Sequence, residues 1–210
     1  MQNLFFKMKK TVQENKPGID KWFNSDVQFN NIYPSTIQLL ASKHWTPLAV
    51  ARKAANFLAA EKNVRILDIG SGVGKFCLAA AYHKPDAFYF GVEQRKSLIN
   101  HAEVARETLK LDQVSFIHGN FTQLNFKDYD HFYFYNAFYE NLVGTFKIDD
   151  SIEYSAQLFH YYNTYLFRLL EKKPAGTRLA TFHSMEDEVP SCYYEVGSEM
   201  DNLLKFWIKA

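Results

Sequence analysis

The chain has 210 residues, of which 47% are hydrophobic, and a formal net charge of +1 at pH 7. This size and apolar content fit one domain with a large single core. With a near-neutral charge, the protein has no overall positive electrostatic field to attract nucleic acid or an anionic membrane. We therefore expect neither extensive nucleic-acid binding nor membrane association. Cys77 and Cys192 are far apart, and the histidines are scattered, so we expect no metal site and a reduced, cytoplasmic setting.

The N-terminal part differs in pattern from the rest of the chain. Residues 1–43 are mixed in composition, and we predict an arm with short helices there. Residues 44–210 are predicted to form the main domain. The main domain opens with an amphipathic helix that runs to about Leu58. Thr46 is its predicted N-cap, and Pro47 occupies the first helical position.

Apolar runs and helical periodicities then alternate along the chain. The predicted strands are 66–69, 87–93, 114–119, 130–135 and 177–182, and the predicted helices are 74–83, 96–110 and 152–173. Two last apolar runs, 192–196 and 203–209, are predicted to pair in antiparallel fashion at the sheet edge. The expected fold is α/β and doubly wound, with a mainly parallel seven-stranded sheet, helices on both faces and a C-terminal antiparallel strand.

The stretch from Arg65 to Cys77, RILDIGSGVGKFC, places three alternate glycines between a strand and a helix. This order is typical of a nucleotide-binding turn, where glycine allows positive φ and close approach of a ligand. A phosphate-binding P-loop is excluded by the glycine spacing and by Phe76 in place of a hydroxyl residue. The acidic Asp68 disfavours a pyrophosphate and suits a ligand with a cationic end. An ordinary tight turn that binds nothing is the alternative.

This D-x-G-x-G-x-G pattern resembles the first motif of the class I S-adenosylmethionine (SAM)-dependent methyltransferases. The resemblance implies SAM as the cofactor, with Asp68 at its amino end. It also implies that the turn itself binds the cofactor, through Gly70, Ser71, Gly72 and Gly74.

Polar residues follow the later strands at positions where the family binds its cofactor. Glu93 lies about 20 residues beyond the glycines, where an acid accepts from ribose hydroxyls, and Gln94 adjoins it. Asn120 stands where the family usually has an Asp that contacts adenine, with Phe121 beside it to pack on the base. A loop-capping role for Asn120 is equally consistent. Thr46 and Pro47 resemble the T-P entry segment of amino-group methyltransferases. That segment touches the methionine end of the cofactor, which implies the same contact for Thr46.

The fourth strand is followed by Asn136-Ala137-Phe138-Tyr139. This segment loosely resembles the N-P-P-[YF] motif of amino-group DNA methyltransferases but lacks both prolines. The G-S-G-V-G, G-V-E and N-x-x-aromatic stretches together resemble the non-SET histone-lysine methyltransferases more closely. The resemblance implies that Asn136 contacts the cofactor and orients an acceptor amine, and that Phe138 and Tyr139 wall the site.

The sequence therefore predicts a SAM-dependent methyltransferase that acts on an amine such as a protein lysine. A protein or small-molecule acceptor is favoured over nucleic acid because of the near-neutral charge. Two alternatives keep the cofactor: a methyltransferase for a nucleobase or small metabolite, and a non-catalytic SAM- or nucleoside-binding module. An NAD-dependent oxidoreductase is a more distant alternative. Glu140 is either a proton acceptor or a surface residue.

Overall fold

The computed structural model describes residues 18–184 and 188–210, so the predicted arm at residues 1–17 lies outside the described residues. The strands are β1 Arg65–Ile69, β2 Phe88–Glu93, β3 Val114–His118, β4 His131–Tyr135, β5 Arg178–Phe182, β6 Tyr193–Glu199 and β7 Leu204–Lys209. The α-helices are α1 Asp26–Asn30, α2 Ser35–Gln38, α3 Ala41–His44, α4 Leu48–Leu58, α5 Lys75–His83, α6 Lys96–Leu109 and α7 Ala156–Glu171.

The seven strands form one sheet in the order β3-β2-β1-β4-β5-β7-β6. Strands β1 to β5 are parallel to one another, and β7 runs antiparallel between β5 and β6. The predicted fold class is therefore confirmed. Strand order reverses between β1 and β4, which is the point where open α/β sheets place their ligands. Within the described part of the chain, no helix combines the length and hydropathy that a membrane span requires.

Both faces of the sheet are covered, as the absence of polar alternation in the strands predicts. One core packs α4 and α5 against the sheet, and there the ring of Phe76 stacks on that of Tyr133 at 3.8 Å between centroids. The other core packs α7 on the opposite face, where Leu67 and Ile69 of β1 meet Leu166 and Leu170. Alternate residues of β1 thus serve different layers, so the face on which each residue lies decides what it can reach.

The starts of two helices differ from the prediction because other residues cap them. The N–H of Leu48 at the start of α4 donates to Asp26 Oδ1 at 3.0 Å, a carboxylate from α1. Thr46 does not cap the helix, because its hydroxyl is buried and hydrogen-bonded to the Tyr133 hydroxyl at 3.1 Å. Helix α7 begins only after Ser155, whose Oγ accepts from the Leu158 N–H at 3.1 Å.

Helices before residue 44 contact the glycine turn directly. Phe29 and Tyr33 are buried in the same core as α4, and the Tyr33 hydroxyl donates to the Val73 carbonyl at 3.0 Å. Lys75, the first residue of α5, is buried and pairs with Asp26 at 2.6 Å. Because an unpaired buried ammonium is unstable, this pair fixes α1 against the turn.

Candidate active site

A cavity of about 500 Å³ opens at the carboxyl ends of β1, β2, β4 and β5. The fold rule for α/β sheets places a ligand there. Its floor is formed by strand ends and the turns that follow them, and α3 and the segment after β4 form its walls. The residues that line its floor include Ile69, Gly70, Glu93, Tyr135, Asn136 and His183. A cavity of this size is typical of a small-molecule or cofactor site.

The three glycines of the turn all have positive φ but serve different purposes. Gly70, at φ 76°, and Gly74, at φ 82°, are points of close packing: an added Cβ would lie 2.4 Å from Ala137 Cβ and 2.2 Å from the Phe116 ring. Gly72, at φ 54°, lines the cavity, and a Cβ there would meet nothing within 4 Å. Gly72 therefore presents bare main chain to open space, as a backbone-binding ligand requires.

Glu93 ends β2 and lines the cavity next to the glycine turn. Its Oε2 accepts from the Gly72 N–H at 3.2 Å, and its Oε1 accepts from the Arg95 N–H at 2.9 Å. Burial raises the pKa of this carboxyl, an effect that Arg95 and the two N–H donors oppose. Each carboxylate oxygen still has a lone pair to offer, so Glu93 fits the predicted contact with ribose hydroxyls.

Asp68, which the resemblance places at the amino end of the cofactor, does not line the cavity. Its carboxyl is buried behind the turn, where the Cys77 thiol donates to Oδ2 at 3.6 Å. Burial raises the pKa of Asp68 to about 8, and the nearby Glu93 charge acts in the same direction. The cause is strand geometry, because Asp68 shares the face of Ile66 and so is directed at α5.

Asn120 is used within the fold and does not line the cavity. Its side-chain oxygen accepts from the Thr122 N–H at 3.0 Å, and its amide donates to Gln94 at 3.0 Å and to the Tyr162 hydroxyl at 2.9 Å. The loop-capping alternative therefore describes these contacts, and the adenine contact assigned to Asn120 stays a prediction. Gln94 and Phe121, by contrast, do line the cavity.

The segment after β4 forms the far wall of the cavity. Asn136 is half-buried and has φ 42°, a left-handed conformation that Asn tolerates better than most residues. Within residues 18–184 and 188–210, no group hydrogen-bonds its side-chain amide. Phe138 is buried and stacks on Phe121, whereas Tyr139 is 46% exposed at the mouth. Phe138 therefore supports the wall, and Tyr139 is the ring that a substrate can reach.

The structure thus brings together only part of the predicted site. The predicted residues that line the cavity are Gly70, Gly72, Glu93, Gln94, Phe121, Asn136, Phe138 and Tyr139. The predicted residues that do not line it are Thr46, Asp68, Ser71, Gly74 and Asn120. Gly74 and Thr46 have structural roles behind the wall, where they secure α5 and β4.

Arg95 is a central site residue that sequence reasoning missed. It is buried, and its guanidinium reaches Glu140 at 2.7 Å, Asp149 at 3.1 Å and the Tyr154 hydroxyl at 2.5 Å. It also lies 3.5 Å from Glu93. One cation therefore joins the end of β2 to the segment after β4. The only sequence signal is a charged residue two positions after the end of a strand.

The same contacts correct the reading of Glu140. Its carboxylate pairs with Arg95 and also accepts from the Ile148 N–H at 2.9 Å. It therefore holds its loop in place and is neither a free proton acceptor nor a surface residue.

The cavity residues that were not predicted include Lys43, His44, Phe146 and His183. Phe146 is 67% exposed, and the Lys43 ammonium lies 2.9 Å from its ring centroid. Burial lowers the pKa of His44 and of His183, so both imidazoles are neutral near pH 7. Only their spatial position distinguishes these two histidines from the others.

Comparison with known proteins shows which proteins this chain is similar to. Residues 60–147 match a family model described as a methyltransferase domain. A tRNA (guanine-N(7)-)-methyltransferase of Synechococcus sp. (strain JA-3-3Ab) is 46% identical over 54 residues, which are 26% of this chain and 23% of that protein. A release factor glutamine methyltransferase of Buchnera aphidicola subsp. Baizongia pistaciae is 35% identical over 70 residues, 33% of this chain and 25% of that protein. The chain spans about a quarter of the length of these relatives.

An RNA methyltransferase from Salinibacter ruber, solved with S-adenosyl-L-homocysteine, has the same fold. It superposes with a TM-score of 0.55 at 17% identity and covers 78% of this chain and 92% of that one. The predicted Rossmann-like fold is confirmed, and the family match over residues 60–147 agrees with the predicted class of SAM-dependent methyltransferase and with SAM as its cofactor.

Two predictions need correction against these comparisons. The resemblance to non-SET histone-lysine methyltransferases is not supported, because neither the family model nor these proteins is of that type. The expectation against nucleic-acid binding is wrong, because RNA methyltransferases are among the proteins that match. The net charge led to a wrong expectation because it sums the charges of the whole surface. Recognition of a single base requires only a local site.

Proposed function

We propose that this chain transfers the methyl group of SAM to an amino nitrogen of a nucleobase in RNA. The observation that carries this proposal is the Asn136 amide, which is unbonded within the described residues and lines the same cavity as Gly72 and Glu93. Such an amide can accept from an amine N–H and hold its lone pair toward the cofactor.

The β2 side of the cavity fits the cofactor. Glu93 can accept from two ribose hydroxyls, and Gly72 leaves room for close approach of the ligand to the main chain. Phe121, Val92 and Leu98 supply apolar surface for a purine ring. SAM supplies an electrophilic methyl group on a sulfonium, so the chain itself must only position and desolvate the acceptor.

The mouth of the cavity fits a nucleobase. Tyr139 and Phe146 are exposed aromatic rings, and aromatic rings stack on unpaired bases whatever their sequence. Lys43 and Lys147 are exposed beside them and can contact phosphates. Two lysines at the mouth are enough to contact phosphates close to a target base. The strong net charge of a surface that binds an extended duplex is not needed for this.

Incubation of the full chain with tritium-labelled SAM and separate RNA and protein fractions of a cell extract tests this proposal. We expect label that ribonuclease releases and protease does not. Label on protein would contradict the RNA proposal and favour a side-chain amide or amine, the acceptor class of the release factor relative. Absence of label in both fractions, with SAM bound in calorimetry, would contradict the enzymatic proposal itself.

Asn136→Gly tests the acceptor role, because glycine adopts the same positive φ at no steric cost while the amide is lost. We expect turnover to fall about 100-fold, as for loss of a positioning group, with unchanged SAM affinity by calorimetry. Asn63→Gly is the matched control, since Asn63 has φ 63° and is exposed outside the cavity. Equal turnover of the two variants would remove Asn136 from the acceptor site.

A cytoplasmic location is part of the proposal. Both cysteines, Cys77 and Cys192, are free, which suits a reducing compartment where cellular RNA is also present.

A further inference from the structure

Two neighbouring strands end in residues of the same unusual conformation. Tyr135 of β4 and Phe182 of β5 are paired in the parallel register, so the next residues, Asn136 and His183, leave the sheet side by side. Both have left-handed backbones, with φ 42° and 55°, and both line the cavity. Strained conformations of this kind are retained mainly where function needs them.

The His183 ring is held in place while its nitrogens remain available. Its centroid lies 4.4 Å from that of Phe182 and 5.8 Å from that of Tyr135. Its backbone N–H donates to the Leu203 carbonyl at 2.9 Å, which fixes the turn. Within residues 18–184 and 188–210, no group hydrogen-bonds the ring nitrogens, and the residue is exposed to solvent.

We propose that His183 is a catalytic residue that takes the proton from the acceptor nitrogen. This inference rests on the proposed function and specifies its chemistry. The nitrogen lone pair forms a bond to the methyl carbon as the carbon–sulfur bond breaks, and that electron pair stays on sulfur. The methylated nitrogen then bears the positive charge, and its N–H proton moves to a ring nitrogen of His183. The exposed ring returns the proton to solvent.

The surroundings of His183 suit this role. The partial burial of its imidazole lowers the pKa of His183, so the ring is neutral and can accept a proton at pH 7. The titratable and charged residues that line the same cavity are Lys43, His44, Glu93, Arg95, Tyr135, Tyr139, Glu140, Tyr154, Tyr162 and Glu188.

His44 is the competing base, and its position argues against it. Its pKa is lowered first by burial and is then adjusted by Glu140 and Arg95, the pair at the β2 side. It belongs to α3 and has no strand register with Asn136. Of the two histidines, only His183 follows a strand that is paired with the strand before Asn136, the residue proposed to orient the acceptor.

The first test is the pH dependence of turnover with RNA as acceptor, for the wild type and His183→Asn. Asparagine tolerates the left-handed backbone and removes the imidazole. We expect wild-type kcat to rise with pH through a pKa below 6.5 and then level off. We expect the variant to lose this rise of kcat with pH (the acid limb of the profile), with kcat about 100-fold lower and KM unchanged. His101→Asn, on α6 and outside the cavity, should match the wild type.

A wild-type profile in His183→Asn would overturn the inference and leave the proposed function intact. Loss of the limb in His44→Gln, with the limb retained in His183→Asn, would likewise overturn it and transfer the role to His44.

The second test needs no acceptor. The pKa of His183 is measured by proton NMR in complexes with S-adenosylhomocysteine and with sinefungin, which carries an amine where SAM carries its methylated sulfur. His183→Asn identifies the resonance. We expect the added positive charge to lower the pKa of His183 by at least half a unit. Equal pKa values in the two complexes would overturn the inference. A shift without any RNA labelling would support the placement of His183 and reject RNA as the acceptor.

Discussion

The two sides of the cavity differ in how their polar groups are used. On the β2 side, both oxygens of Glu93 already accept from backbone N–H groups, and Gln94 is bonded to Asn120. On the β4 and β5 side, the Asn136 amide and the His183 ring have no hydrogen-bond partner within the described residues. The bonded side is preorganised for one fixed ligand, whereas the other side keeps its polar groups for a group that arrives to react.

Arg95 joins the two sides, and its removal should have the largest effect on this comparison. Arg95→Ala leaves the buried Glu93 carboxylate and the partly buried Glu140 carboxylate without their cation, so we expect a loss of about 3–5 kcal/mol in the free energy of unfolding. Urea denaturation measures this loss. Arg106→Ala is the control, because its pair with Glu103 is partly exposed and should contribute under about 1 kcal/mol. Equal losses would mean that Arg95 does not hold the two sides together.

The buried Asp68 offers a pH-dependent test of the packing behind the glycine turn. Its pKa is raised from 3.8 to about 8 by burial, so between these values the folded state keeps a proton that the unfolded state has lost. Stability therefore falls as pH rises across this window, by roughly 1 kcal/mol per pH unit. Asp68→Asn should flatten the dependence of the urea midpoint on pH between 5 and 8.

Asp112→Asn, which removes an exposed carboxyl, should keep the wild-type slope. A wild-type slope in Asp68→Asn would show that Asp68 is ionised in the folded protein and that the cavity-facing role merits a second test.

Gly72→Ala should have the smallest effect on stability and a selective effect on cofactor binding. The added methyl meets nothing within 4 Å, so the variant loses only the preference of glycine for positive φ, about 1 kcal/mol. The methyl occupies cavity space, so we expect SAM affinity in calorimetry to fall at least about tenfold, or 1.4 kcal/mol. Gly176→Ala, with φ 85° and equally open surroundings, should lose similar stability and bind SAM normally. Equal affinities would place the cofactor away from Gly72.

Local signals in the sequence predicted the fold well because sheet order in such domains follows from the alternation of elements. Apolar runs marked the strands, and the glycine turn marked the first crossover. The boundaries at Thr46 and Ile152 failed because the caps came from elsewhere: Asp26 caps α4, and Ser155 starts α7 later than the periodicity suggests. Hydrophobic spacing does not encode a cap contributed by a distant residue.

The sequence by itself determined that this chain is an α/β domain with a glycine turn, an acid at the end of β2 and Asn136 at the end of β4. Those features depend on residues close together in the chain. Only the tertiary structure decided that Asp68 is directed at α5, that Arg95 joins two loops and that His183 adjoins Asn136. These outcomes depend on which face each residue occupies and on parallel register between strands more than 40 residues apart, and no local pattern records either one.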